Sequence, residues 1–100
     1  MTIVLKDGTV YSGDIAKRNN EYIIEGNGKM TFTDGSCYQG HWKEGHMHGR
    51  GEFTWKTGQK YKGDYHIGKK EGFGTYHYNK TKYYEGMWED GRQHGDGTLY

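Results

Sequence analysis

One hundred residues make one small domain and exclude two packed ones, and the chain is too short to bury a large globular core. Apolar residues reach only 31%, mean hydropathy is −1.18 and proline is absent, yet 16% aromatic residues and 18 glycines exclude a disordered chain. Fourteen basic against thirteen acidic residues leave +1, so no net field draws nucleic acid, and charge alone names no partner.

Ile3 to Gly8 matches the closing half of a repeating unit, which makes residues 1–10 a half-unit. The first full unit opens at Tyr11 with YSGDI and resumes at GNGKMTF from Gly26. Ten residues separate Ile15 from Gly26, against six between Trp42 and Gly49 in the next unit. Tyr22, Ile24, Gly26, Gly28, Met30 and Phe32 keep one parity, so the four extra residues are expected to lengthen both strands by two. Lys17 to Asn20 is then the expected turn.

YQGHWKEGHMHGRGEFTW from Tyr38 aligns with YKGDYHIGKKEGFGTYHY from Tyr61 and with YEGMWEDGRQHGDGTLY from Tyr84, at a constant offset of 23. Residues 1–100 therefore form a single array with units starting at about 11, 38, 61 and 84, the last incomplete. All 18 glycines fall on this lattice, which rejects a flexible-linker reading. Tyr38, Gly40 and Trp42 share one parity, and Gly49, Gly51, Phe53 and Trp55 share another. A period of two means strands, and each unit is a β-hairpin.

Glycine weakens a strand unless something approaches closely. Ring bodies are expected to fill the missing Cβ space, with Trp42 or Tyr65 lying across the Gly-x-Gly of a paired strand. Asp7-Gly8, Asp34-Gly35 and Thr57-Gly58 supply turns between units through positive φ at glycine. At Asn79-Lys80-Thr81, a left-handed asparagine is expected to serve instead.

The unit Y-x-G-x-W-x-x-G-x-x-x-G-x-G at 23-residue spacing resembles the MORN (membrane occupation and recognition nexus) repeat over nearly the whole chain. The resemblance implies an all-β fold: an elongated, single-layer antiparallel meander of stacked hairpins. It also implies a noncatalytic scaffold or adaptor near cytoskeleton or membranes. Ile15 departs from the pattern by replacing the usual aromatic, and the array begins and ends in half-units. Open strand edges there make end-to-end self-association an expectation.

The lone Cys37 forms no intramolecular disulfide and suits a reducing compartment. Met1 to Lys6 is too short an apolar run for an export signal, so a soluble, cytoplasmic protein is expected. His41, His46 and His48 lack a second ligand cluster at structural-zinc spacing, so no metal is expected. Ser12, Ser36 and Cys37 lie in or beside turns with no base marked, so no catalysis is expected. The Gly-x-Gly pairs open no helix and cradle no phosphate, and no cofactor is implied.

Three binding readings remain. An aromatic groove of Tyr38, Trp42, Trp55, Tyr61, Tyr65, Tyr78, Tyr84 and Trp88 would dock a helix or extended peptide, because one sheet is not expected to bury all its rings. Lys56, Lys60, Lys62, Lys69, Lys70, Lys80 and Lys82, opposed in sequence by Asp64 and Glu71, would hold anionic phospholipid headgroups on a membrane surface. A carbohydrate- or choline-binding hairpin array is the third, since such arrays also combine aromatics and glycine at about this period.

Overall fold

Period-two alternation runs through the whole chain. A computed structural model describes all residues, Met1–Tyr100, as nine antiparallel strands in one sheet, paired in chain order. They are β1 (Thr2–Val4), β2 (Val10–Arg18), β3 (Glu21–Thr31), β4 (Cys37–Lys43), β5 (His46–Thr54), β6 (Lys60–His66), β7 (Lys69–His77), β8 (Tyr83–Glu89) and β9 (Arg92–Leu99). The single layer measures 46 × 25 × 17 Å.

Two kinds of turn alternate. Within each unit a two-residue turn closes the hairpin at Asn19-Asn20, Glu44-Gly45, Ile67-Gly68 and Asp90-Gly91, all with φ between 46 and 81°. Left-handed backbone at both central residues matches the twist of the flanking strands. In the first unit Lys17 pairs with Tyr22 and Arg18 with Glu21, so both strands are longer than in later units. The turn is Asn19-Asn20 alone, a correction to the Lys17–Asn20 expectation: two asparagines supply both left-handed positions, and no wider loop is needed.

Between units the loop is a type I turn followed by a left-handed glycine. Gly35 N donates to the Phe32 carbonyl and Phe32 N to the Ser36 carbonyl, with Gly35 at φ 93°. The last junction is corrected too. Asn79 has no positive φ; its Oδ1 instead accepts from Thr81 N, Thr81 Oγ1 and Lys82 N at 2.9 to 3.0 Å.

Register aligns the glycines into one row across eight strands: Gly13, Gly28, Gly40, Gly51, Gly63, Gly74, Gly86 and Gly97. Beside it runs a row of Tyr11, Met30, Tyr38, Phe53, Tyr61, Tyr76, Tyr84 and Leu99. Each leading tyrosine folds back along its own strand, over the glycine two residues on. Its hydroxyl donates to the carbonyl three residues on: Tyr11 to Asp14, Tyr38 to His41, Tyr61 to Asp64 and Tyr84 to Met87, at 2.6 to 3.2 Å.

The ring also covers a glycine of the next strand. A Cβ at Gly28, Gly51, Gly74 or Gly97 would overlap the hydroxyl of Tyr11, Tyr38, Tyr61 or Tyr84. Rings do replace missing side chains: the leading tyrosine supplies the atoms nearest each missing Cβ, while Trp42, paired with Gly26, lies across Gly26-x-Gly28 as expected. Trp42 and Trp88 reach across to the preceding unit, where each Nε1 donates to a glycine carbonyl, Gly28 at 3.1 Å and Gly74 at 3.2 Å.

Candidate interaction surface

Seven rings form a continuous edge-to-face chain along the sheet: Tyr11, Trp42, Tyr38, Tyr65, Tyr61, Trp88 and Tyr84. Successive centroids lie 5.1 to 5.9 Å apart at 85 to 90°. This geometry sets the positive edge of one ring against the negative face of the next. The result is burial without a second layer: Tyr38, Trp42, Tyr61, Tyr65, Tyr84 and Trp88 are 0 to 8% exposed. Six of the eight residues expected to line a groove are thus consumed by packing on one another, which corrects that expectation. Burial pushes the Tyr38 phenol up to about 12 and raises Tyr61 and Tyr65 further.

A second chain of rings stays half-exposed. Phe32, Phe53, Trp55, Tyr76 and Tyr78 follow one another at 4.5 to 5.8 Å across units 1 to 3. Trp55 and Tyr78, the two remaining groove residues, belong here, and Tyr78 is 37% exposed. Gln93 Nε2 donates to the Tyr78 hydroxyl at 2.7 Å, and Lys82 Nζ lies 5.1 Å from the Tyr78 ring. Strand register puts Lys17 and Lys70 on this aromatic face and no carboxylate.

The seven lysines do not form one patch. Lys56 and Lys80 sit in the between-unit loops, with Lys82 at the end of its loop, while Lys69 opens β7 at the opposite rim. A seven-residue strand keeps those rims roughly 20 Å apart. Lys60 Nζ lies 3.2 Å from Glu52 Oε1, and Lys62 points to the polar face opposite Glu52 and Thr75. Lys70 is half-buried, with Nζ 5.3 to 5.8 Å from the centroids of Trp55, Tyr61, Tyr76 and Trp88. Burial lowers its pKa.

His48 lies beside His66, ring to ring at 5.1 Å, and its Nδ1 accepts from Ile67 N at 3.4 Å. Glu25 and Glu71 make the same tie to Glu44 N and Asp90 N, so His48 is a tether between hairpins. No group of three or more His, Cys, Asp or Glu side chains converges to hold a metal. Ser36 Oγ donates to Asp34 Oδ1 at 2.5 Å, within a turn.

Two features escape a linear reading. Phe73 and Met87 pair directly on the face opposite the buried rings, 46 and 41% exposed. Lys70 takes the hairpin step held by Met47 in the preceding unit, a signal visible in parity.

Against known protein families, the chain matches the MORN repeat four times, at residues 21–37, 38–60, 61–80 and 84–100. The last three matches start at the leading tyrosines Tyr38, Tyr61 and Tyr84. The first covers β3 and the loop after it, beyond the lengthened turn. A comparison with curated proteins finds no match.

Proposed function

The chain belongs to the MORN repeat family, whose repeats take part in protein and membrane interactions and are not known for catalysis, and on that premise we propose that it is a noncatalytic adaptor docking a protein segment across Trp55, Tyr76 and Tyr78. One observation carries the reading: these rings stay at least partly exposed in a continuous line while the edge-to-face chain beside them, Tyr11 to Tyr84, is buried. Large aromatic side chains with few rotatable bonds are favoured anchors for a partner. The rigid sheet beneath them presents the line without a folding cost on binding.

Affinity capture from the native cell tests it, with wild type and Tyr78→Ala side by side. A protein retained by the first and lost by the second supports docking there. Identical captures from two equally folded proteins contradict it.

A second reading places anionic headgroups at one rim, where Lys6, Lys56, Lys80 and Lys82 lie in or beside the between-unit loops with Asp7 and Asp34 opposing them. Sedimentation with anionic vesicles, weakened by salt and by Lys56→Glu with Lys80→Glu, supports that reading.

A further inference from the structure

Lys70 occupies a step of the hairpin that other units fill without charge. Ile24, Met47 and Gln93 stand at that step, opposite Ile15, Trp42 and Trp88, as Lys70 stands opposite Tyr65. Only in the third unit does the step meet four aromatic rings around one cation. Tyr61 and Trp88 are buried and form the floor, while Trp55 and Tyr76 are half-buried walls.

The resident suits this box poorly. A primary ammonium carries three N–H donors that need acceptors. None of the four ion pairs of the chain involves Lys70, and no carboxylate shares its face. A quaternary ammonium has no N–H to satisfy, and it is the cation that aromatic cages recognise best.

The resident is also free to leave. Its unbranched, half-exposed stem can carry the ammonium into water. Met47 would expose apolar surface on leaving its own step, and Gln93 is held by Tyr78. Lys70 is therefore the one filler in the array that departs at little cost.

We propose that the box of Trp55, Tyr61, Tyr76 and Trp88 is a binding site for a quaternary ammonium group of the choline type, which displaces the Lys70 ammonium into solvent. This goes beyond docking of a protein segment: the ligand is a small cation, and either reading stands if the other fails.

The test is tryptophan emission of the full chain titrated with choline chloride, against sodium chloride at equal ionic strength. Ethanolamine and the neutral carbon isostere of choline serve as controls. Choline should give a saturable shift that the other three do not. Lys70→Ser removes the resident and should bind choline about tenfold more tightly. Lys70→Met plugs the box as Met47 does and should abolish the response.

A folded Lys70→Ser with no choline-specific shift overturns the proposal, and so does an isostere that binds as well as choline. Should Lys70→Ser not fold, Trp55→Leu removes a wall and must weaken choline about fivefold or more; unchanged affinity overturns the proposal equally. Vesicles of phosphatidylcholine and of phosphatidylethanolamine separate the sources. Selective sedimentation with the first identifies a lipid headgroup, and a response to free choline alone identifies a soluble ligand.

Discussion

The Tyr61 hydroxyl reaches back along β6 to the Asp64 carbonyl at 3.0 Å, and in doing so its ring roofs Gly74 on the neighbouring strand. One side chain thus ties its own strand and covers bare main chain in the next. Tyr61→Phe keeps the roof and loses the hydrogen bond. It is expected to cost about 1 kcal/mol in urea denaturation followed by tryptophan emission. A loss as large as that of a full truncation would mean that the ring itself had moved.

High pH should unfold the array cooperatively. An unfolded tyrosine ionises near 10, whereas burial holds the folded Tyr38 at about 12 and Tyr61 and Tyr65 higher. The folded state keeps protons that the unfolded state releases, so this stability is complete below about pH 10 and is lost as pH rises toward about 12. Tyrosinate absorbance and circular dichroism should therefore change together. Full ionisation of the phenols near pH 10 with intact strands would contradict the burial.

Ile67 holds a left-handed φ of 46° at the tip of the third hairpin, a conformation that a β-branched residue adopts only under strain. It is 56% exposed, so little burial is at stake. Ile67→Asn is expected to gain about 1 kcal/mol. The measurement is the denaturation midpoint, and a decrease would contradict the strain.

Binding and folding should separate between the two chains of rings. Tyr78→Ala should reduce partner capture while leaving the melting temperature within a few degrees of wild type. Trp88→Ala, which removes a ring 6% exposed and its hydrogen bond to Gly74, should cost about 3 to 5 kcal/mol. Equal melting losses for the two would erase the distinction between surface and packing.

Strands, hairpins and the lengthened first unit were legible because glycine and ring positions share a parity that only a pleated strand satisfies. What parity does not tell is where a ring goes after leaving its strand. Tyr38 and Trp42 share a face, yet Tyr38 folds back along its own strand and Trp42 crosses to the preceding unit. Nor does it show that edge-to-face stacking buries six of the eight proposed groove residues within one layer. Lys69 and Lys70 adjoin in sequence, yet adjacent strand residues point to opposite faces, so the lysine cluster divides on folding. The four rings around Lys70 come from positions spread between Trp55 and Trp88, so sequence order alone does not bring them together.

A double-mutant cycle between Tyr61 and Gly74 tests most directly whether glycine is there to receive the ring. Gly74 has no left-handed φ, and the three atoms nearest to an added Cβ there all belong to Tyr61. Gly74→Ala alone is therefore expected to cost about 1 to 3 kcal/mol by overpacking. In the Tyr61→Leu background the same change should cost much less, leaving a coupling of about 1 kcal/mol or more. Equal costs of Gly74→Ala in both backgrounds would contradict the account.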